Sequence, residues 1–398
     1  MSIFNSQTSY IAQVDYRDDK RVFGLHQSDR MKGGMYILGK TGSGKTNLIE
    51  SLIFQDLANG RGICLMDVNG DLIQKIAKAI PEHRKKDIVY LNTADLNLTW
   101  GYNPLKKVSY HYRHLIASHI IETFQKLWGS QSWGVRLEYI LNKVITTLLD
   151  QEKATFADIT RILTDDHFRI QCITNVVSDD VKSFWLKEYP KYSKGDVLPV
   201  LNKVGSFMAS PIIKKILVEN TNQLSISKIL NESKILLVNL SKGTLGIDSS
   251  HLLGSLLLNS ISNAGFQRVK IPENERKPFF IYLDEFQNFT TEALINMFSE
   301  LRKMQVSFIV AHQYLTQLNV KVRDAVIGNV TNMVIFRLSY QDAKYFAQEF
   351  YPIFTAHDFV SLENYHIYLR LLIHGKPCRA FSAKTLPSEV FKLPDSNT

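Results

Sequence analysis

Apolar residues follow two different periods along the chain, and the change of period marks out its organisation. Before about residue 104 and after about residue 233, short apolar runs alternate with segments whose apolar residues recur at helical spacing. Between these positions the helical spacing continues with almost no strand signal. The pattern therefore predicts an α/β domain that is interrupted by an all-helical insert.

The α/β portions contain apolar runs that are bounded by turns or by helical segments. These predicted strands are Met35–Leu38, Gly62–Asp67, Ile88–Leu91, Lys234–Leu240, Phe279–Leu283, Val306–Val310 and Met333–Arg337. Strands that alternate with helices predict a mostly parallel sheet with helices on both faces. A hairpin formed by residues 367–373 and 378–381 should close this sheet. We expect residues 1–104 and 233–385 to form the α/β domain, residues 105–232 the helical insert, and residues 386–398 a loose tail.

The stretch Gly39–Thr46 fits the phosphate-binding pattern G-x-x-x-x-G-K-[ST] at every fixed position and lies between a predicted strand and a predicted helix. Gly42 and Gly44 allow successive backbone N–H groups to face a phosphate. Lys45 can reach the β- and γ-phosphates, and the Thr46 hydroxyl can ligate Mg²⁺. The residues expected to bind ATP are Gly39, Thr41, Gly42, Ser43, Gly44, Lys45 and Thr46. The alternative, a glycine-rich turn without a ligand, is disfavoured by the flanking elements.

Two adjacent carboxylates follow the predicted strand Phe279–Leu283 directly, which is the layout of a Walker B motif. Asp284 would hold Mg²⁺ opposite Thr46, and Glu285 would polarise the attacking water as general base. Gln313, just past the end of the next strand, would contact the γ-phosphate as a sensor. The alternatives are that the acidic pair caps the following helix and that Gln313 is an ordinary polar residue at a helix start.

Arginine residues are candidates for a catalytic group supplied by a neighbouring subunit. P-loop motors hydrolyse slowly alone because the charge that develops on the γ-phosphate is poorly compensated, and such an arginine raises the rate by about 10³–10⁵. Arg302, after the Walker B motif, is the first candidate, followed by Arg337 and Arg323. A surface ion pair explains each of them equally well at this level.

The composition of the chain indicates which kinds of partner it can bind and in which cellular compartment it is expected. The chain of 398 residues has a formal net charge of +9, which indicates either a polyanionic partner such as DNA or merely a basic surface. It has three widely separated cysteines, no signal-peptide pattern and no apolar run long enough for a transmembrane helix. These features predict a cytoplasmic protein without a membrane span.

With these residues placed, the chain resembles the HerA/FtsK superfamily of hexameric DNA pumps, and within it the conjugative coupling proteins of the TraG/TraD type. The resemblance extends over nearly the whole chain. The stretches that carry it are Gly39–Thr46, Asp67–Asp71, Trp100–Leu105, Lys234–Gly243, Tyr282–Phe289, Leu301–Lys303, Ala311–Gln313, Gly328–Val330 and Phe336–Arg337.

The resemblance implies a RecA-like core, a homohexamer with ATP and Mg²⁺ between subunits, and ATP-driven movement of DNA through a central channel. By position it implies that Arg302 acts across the subunit interface. Val68 and Asn69 depart from the family pattern, which has proline and histidine there. Asp67 and Asp71 flank a turn at the carboxyl end of the second predicted strand, where ligands gather, so a role near Mg²⁺ or the phosphates is open. The alternative, which we favour, is that Asp71 caps the next helix. Membrane-anchored relatives also carry transmembrane helices. We therefore expect a soluble relative, or one docked on a separate membrane subunit at the inner face of the membrane.

Three functions remain open at this level. The first is a hexameric ATPase that translocates DNA for conjugative transfer or for a partner nuclease. The second is a motor of the same superfamily that powers protein secretion or pilus assembly. The third is a nucleotide-gated assembly module that binds ATP and turns it over little. The basic charge favours the first.

Overall fold

The computed structural model describes residues 5–15, 19–291 and 293–392, which form two compact units. The first unit comprises the described residues up to Tyr90, the segment Ile226–Leu240, and the described residues from Ala264 onward. The second unit comprises Leu91–Ser225 and Ser241–Asn263. The last residues of the predicted tail, 393–398, lie outside the described ranges.

An eleven-stranded sheet forms the centre of the first unit. Its strands are β1 Thr8–Val14, β2 Val22–His26, β3 Met35–Leu38, β4 Gly62–Asp67, β5 Ile88–Asn92, β6 Ile235–Asn239, β7 Phe279–Leu283, β8 Val306–His312, β9 Met333–Ile335, β10 His366–Arg370 and β13 Phe381–Thr385, while β11 Leu372–Ile373 and β12 Lys376–Pro377 form a separate small hairpin. The spatial order is β2-β1-β13-β10-β9-β3-β8-β7-β4-β6-β5. The run from β9 to β6 is parallel, whereas β10, β13, β1 and β2 pair antiparallel.

The described helices are assigned to the units as follows. The first unit contains α1 Gln27–Gly33, α2 Lys45–Ala58, α3 Asp71–Lys78, α11 Ile226–Asn231, α14 Ala293–Glu300, α15 Val320–Asn329, α16 Tyr340–Glu349 and α17 Ala356–Ser361. The second contains α4 Tyr110–Trp128, α5 Val135–Leu149, α6 Asp158–Thr164, α7 Asp166–Thr174, α8 Asp179–Ser183, α9 Lys194–Met208, α10 Pro211–Lys214 and α12 Lys242–Leu245. Helix α13, Ile247–Gln267, has residues in both.

The parallel strands are mostly apolar, with polar residues chiefly at their carboxyl ends, because both faces of the sheet are covered. Every residue of β3, β4, β6 and β7 is buried, which is typical of parallel strands. By contrast, β10 at the antiparallel edge alternates buried and partly exposed residues. The continuous apolar runs of the sequence therefore correspond to strands that are buried on both faces of the sheet.

A buried ionic cluster joins three elements beneath the sheet. Arg30 of α1 and Asp56 of α2 form an ion pair with 2.6 Å between Nη1 and Oδ1, and both side chains are fully buried. Tyr282 of β7 donates a hydrogen bond to the Asp56 carboxylate and accepts one from Arg30. Asp56 also pairs with the buried Arg61, with 2.8 Å between Nη1 and Oδ1. Removing Asp56 would therefore leave buried arginine charge uncompensated, at a cost of about 3–5 kcal/mol. The cluster therefore fixes β7, whose end carries the acidic pair, relative to α2.

The predicted α/β class is confirmed, because the central sheet is mostly parallel and helices alternate with its strands. The predicted hairpin is confirmed in part. Strands β10 and β13 are antiparallel neighbours and Leu369 pairs with Phe381, but the second strand runs on to Thr385, and the small β11–β12 hairpin lies between the two strands. Because β1 and β2 lie beyond β13, the hairpin does not close the sheet. A 3₁₀ helix, Ser388–Phe391, places Phe391 in the apolar core, so this part of the predicted tail is structured.

The second unit has an apolar core of its own. The unit begins with Leu91 and Asn92, the last residues of β5. Its other described residues form helices and loops, with one isolated β-bridge between Gly101 and Gln223. Phe124, Ile140 and Phe156 are fully buried. The helical spacing of apolar residues in this part of the sequence therefore corresponds to the inner faces of packed helices.

Candidate nucleotide site

The loop Gly39–Thr46 connects the end of β3 to the start of α2. Its backbone conformation and close packing require glycine at particular positions. Gly42 and Gly44 have φ angles of +76° and +119°, in the region that residues with a Cβ rarely adopt. A Cβ on Gly44 would lie 2.9 Å from Tyr365 Cδ1 and 3.0 Å from Phe336 Cε1. Glycine at this position therefore meets two requirements, one of conformation and one of space.

Lys45 is buried at the start of α2, with 6% of its surface exposed. Its Nζ donates to the carbonyl oxygens of Gly39, at 2.6 Å, and Lys40, at 3.1 Å. Burial lowers the pKa of Lys45, and the charges of Glu285 and Asp284 oppose this effect. The ammonium group is thus held inside the loop, where it can exchange carbonyl contacts for phosphate oxygens.

Asp284 follows β7 and is 7% exposed. Burial, and then the charges of Glu285 and Asp67, raise the pKa of Asp284 to about 7. A divalent cation would favour the ionised carboxylate. The Asp284 carboxylate and the Thr46 hydroxyl are oxygen donors of the kind that Mg²⁺ prefers, and they would hold the ion together with phosphate oxygens and water. In the described ranges no group of three or more His, Cys, Asp or Glu side chains could hold a metal ion.

Two glutamine side chains hold both carboxylate oxygens of Glu285. Gln313 Nε2 donates to Oε1 at 2.6 Å, and Gln287 Nε2 donates to Oε2 at 2.7 Å. Glu285 itself has a φ angle of +54°, so the chain turns sharply between β7 and the 3₁₀ helix Phe286–Asn288. The sequence did not predict a role for Gln287. Gln287 lies only two residues after Glu285, which was the one hint in the sequence that their side chains could meet. The tight turn after β7 brings Gln287 Nε2 against the Glu285 carboxylate.

A single cavity of about 310 Å³ brings the predicted groups together. It is lined by Thr41, Gly42, Gly44, Lys45, Thr46, Asn47, Asn69, Asp284, Glu285, Gln313 and Tyr365. Gly39 and Ser43 belong to the loop without lining the cavity, and Arg302 lies elsewhere. Asn47, Asn69 and Tyr365 were not predicted as site residues. Asn69 stands where the sequence departs from the family pattern, so the side chain that replaces the histidine faces the same cavity.

His312, beside Gln313, has a structural environment. It is fully buried at the end of β8, and its Nε2 lies 2.5 Å from the Tyr36 hydroxyl. Burial, assisted by the charge of Lys45, lowers the pKa of His312 to about 3, so the ring is neutral. His312 is not among the residues that line the cavity.

Arg302 lies at the other end of the strand that leads to Gln313. It belongs to the 3₁₀ helix Leu301–Met304, just before β8 begins, while Gln313 follows the last residue of β8. The seven residues of this strand span roughly 23 Å. Arg302 is exposed and lines another cavity, beside Lys32 and Lys303. It is therefore too far from the loop of its own chain to contact a nucleotide there.

The other two arginine candidates have different surroundings. The Arg337 carbonyl accepts a hydrogen bond from Lys40 N at 2.9 Å, so its backbone lies beside the phosphate loop. Arg323 pairs with Asp324 at 2.9 Å, and its guanidinium lies 5.6 Å from the centre of the Tyr345 ring. The contacts of Arg323 favour the ion-pair alternative.

The expected capping role of Asp71 is wrong. Helix α3 begins at Asp71 with Gly70 as its N-cap, and no side chain caps it from that position. Instead, the Asp67 carboxylate accepts hydrogen bonds from Asn69 N at 2.8 Å and from Ile73 N at 3.2 Å. Asp67 therefore organises the turn that places Asn69 at the cavity.

A family model and solved structures match this chain. The family model described as "Type IV secretion-system coupling protein DNA-binding domain" matches residues 26–351. Comparison with curated protein sequences gives no match. None of the helices in the described ranges is both long and apolar enough to cross a membrane.

Solved structures share the fold over almost the whole chain. The unbound bacterial conjugative coupling protein TrwBdeltaN70 is 13% identical, with a TM-score of 0.69 over 97% of this chain and 90% of its own. The plasmid coupling protein TrwB in complex with ADP and Mg²⁺ is 13% identical, with a TM-score of 0.66 over 94% of this chain and 89% of its own. VirB4 of Thermoanaerobacter pseudethanolicus is 12% identical, with a TM-score of 0.62 over 99% of this chain and 100% of its own.

Proposed function

The chain belongs to the family of type IV secretion-system coupling protein DNA-binding domains, and we propose that it is an ATPase that couples hydrolysis of Mg²⁺-ATP to the movement of DNA. The resemblance to conjugative coupling proteins is confirmed by this membership. The observation that carries the proposal is the convergence of Lys45, Thr46, Asp284, Glu285 and Gln313 on one cavity. These groups supply what phosphoryl transfer to water requires.

Each of these groups has a role in the proposed reaction. The N–H groups of the loop and Lys45 bind the phosphates, and Thr46 and Asp284 would hold Mg²⁺, which neutralises charge on the β- and γ-phosphate oxygens. Glu285 orients the attacking water and accepts its proton. Gln313, which donates to Glu285 at 2.6 Å, can contact the γ-phosphate and transmit its loss to the strand that it follows.

We also propose that the active form is a homo-oligomer, a hexameric ring, with the nucleotide between subunits. The position of Arg302 supports this, because the residue is exposed at the edge of the sheet opposite its own phosphate loop. An arginine there can serve only the nucleotide of another subunit. A site completed by a neighbour would make hydrolysis depend on assembly.

DNA is the proposed substrate of the motor. The family description and the net charge of +9 support a polyanionic partner. Membership in a secretion-system family supports action at the cytoplasmic face of a membrane.

The test is the ATPase rate of the purified full chain with and without single- and double-stranded DNA, alongside its mass in solution with and without ATP. We expect DNA to raise the rate and DNA affinity to fall steeply with salt. No stimulation by any DNA would contradict the proposal and favour a motor that acts on protein.

The Glu285→Gln variant separates a motor from a nucleotide-gated module. In a motor this change should reduce hydrolysis by about 10²–10⁴-fold while leaving ATP bound, because the general base is lost and the phosphate contacts are kept. If wild type and variant turned over ATP at the same low rate, the motor would be excluded. Trapping of ATP by the variant alone would support it.

A further inference from the structure

One aromatic residue at the nucleotide cavity has no part in the mechanism above. Tyr365, which immediately precedes β10, lines the cavity and keeps 47% of its surface exposed. We propose that Tyr365 is the stacking platform for the nucleobase of the bound nucleotide. This inference rests on the proposed function, because it names a further part of the same site.

The strand order sets the direction in which a nucleotide must lie. The phosphate loop follows β3, and β8 and β7, whose ends carry Gln313 and Glu285, lie on one side of β3. The γ-phosphate must face that side. On the other side of β3 lie β9 and then β10. Because β10 is antiparallel to β9, its first residues lie at the edge where the parallel strands end. Tyr365 therefore stands on the side to which the ribose and base must extend.

The backbone of Tyr365 is fixed directly to the phosphate loop. Its N–H donates to the Ser43 carbonyl at 2.8 Å, and its own carbonyl accepts from Thr385 N of β13 at 2.8 Å. Its φ angle is +66°, and its Cδ1 lies where a Cβ on Gly44 would approach to 2.9 Å. A ring held against the loop in this way presents its face at a constant position relative to the phosphates.

The polar groups near this ring are already engaged. The Asn47 side chain, also in the cavity, donates from Nδ2 to the Leu386 carbonyl at 2.9 Å and accepts from Ser388 N at 3.1 Å. These bonds fix the Asn47 amide against the backbone and use one of its two donors and one of its two acceptor lone pairs. Stacking recognises the face that all bases share, so the subsite should accept adenine and guanine nucleotides alike.

The experiment compares Mg²⁺-ATP, Mg²⁺-GTP and Mg²⁺-tripolyphosphate, which has no base, by calorimetric titration of the full chain. The test variant is Tyr365→Asn, because asparagine tolerates the left-handed conformation. Tyr365→Phe keeps the ring. Tyr340→Ala is the matched control, since Tyr340 is an exposed tyrosine at the start of α16 and does not line the cavity.

We expect Tyr365→Asn to weaken binding of ATP and GTP by roughly 5- to 100-fold, the range for loss of one base–aromatic stack. Its binding of tripolyphosphate should be unchanged, and the other two variants should resemble wild type throughout. Equal ATP affinity in wild type and Tyr365→Asn would overturn the inference. So would a parallel loss of ATP and tripolyphosphate, which would show that Tyr365 only shapes the loop. If wild type binds tripolyphosphate as tightly as ATP, the base is not recognised, and the inference fails while the phosphate site stands. If wild type binds none of the three, the proposed function fails with it.

Discussion

The two edges of the central sheet differ in chemistry although the same strands connect them. At the carboxyl ends of the parallel strands lie the buried Lys45 and Asp284 and the half-buried Glu285. At the amino ends, Lys32, Arg302 and Lys303 are exposed and line a cavity of about 380 Å³ together with the acidic Glu273 and other residues. One edge carries the groups that we propose bind and activate the nucleotide, and the other carries exposed cationic side chains.

This difference explains why a single chain would be a poor catalyst. Among the described residues that line the cavity at the carboxyl edge, Lys45 is the only one with a cationic side chain. The amino edge has cations that cannot reach the charge that develops on the γ-phosphate within the same chain. Two copies that place one edge against the other would complete the site, and the following experiments test that arrangement.

The largest expected effect is that of Arg302→Ala. If Arg302 compensates transition-state charge in a neighbouring subunit, its loss should reduce the ATPase rate by about 10³-fold or more. Nucleotide binding should be little changed, because the phosphate loop is intact. Lys303→Ala is the matched control, since it removes the adjacent exposed cation.

Mixing two inactive variants sharpens this test. An assembly of Arg302→Ala and Glu285→Gln subunits contains interfaces that pair an intact Glu285 with an intact Arg302. Activity should therefore reappear in the mixture, measured as ATP hydrolysed per subunit. A fully active Arg302→Ala protein, or inactive mixtures of subunits that do co-assemble, would show that the amino edge plays no part in catalysis.

The second expected effect is a pH dependence of Mg²⁺ binding at the carboxyl edge. With the pKa of Asp284 raised to about 7, a proton must leave before the carboxylate can bind the ion. The Mg²⁺ affinity in the presence of ADP should thus fall by about tenfold between pH 8 and pH 6. Asp284→Asn should lose this part of the dependence, and identical slopes in wild type and variant would contradict the assignment.

The same shift predicts the sign of a stability change without Mg²⁺. Between the unfolded pKa of Asp, near 3.8, and the folded value of about 7, the folded state binds the extra proton. Stability from this group is therefore greatest below that window and falls as pH rises through it. In this pH window the Tm of the wild type should fall with rising pH more than the Tm of Asp284→Asn, measured by thermal unfolding. Addition of Mg²⁺ with nucleotide should reduce this difference in pH dependence.

The smallest expected effect is that of Gln287→Ala. Loss of its hydrogen bond to the Glu285 carboxylate should reduce kcat by about tenfold, the scale for one hydrogen bond to a charged group. The KM for ATP should not change, because Gln287 does not line the cavity. Gln171→Ala, on the surface of the second unit, is the control. A change in KM with constant kcat would assign Gln287 to binding instead.

Features that depend on neighbouring residues were predicted well from the sequence. The strands β3 and β4 have the predicted bounds, and the glycines of the phosphate loop stand where the motif requires. The second strand of the predicted hairpin was placed too early, at Cys378–Phe381, whereas the strand that pairs with β10 is Phe381–Thr385. Strand pairing depends on long-range register, and a local pattern does not contain it.

By itself, the sequence determined the α/β class, the phosphate loop and the acidic pair, since each depends on the covalent order of a few adjacent residues. Only the tertiary structure decided which distant groups meet. It brought Gln313 and Gln287 to Glu285, placed Tyr365 on the far side of the loop, and separated Arg302 from its own site by the length of a strand. The physical reason is that contacts between strand ends depend on the order of strands in the sheet, which is fixed by packing across the whole unit.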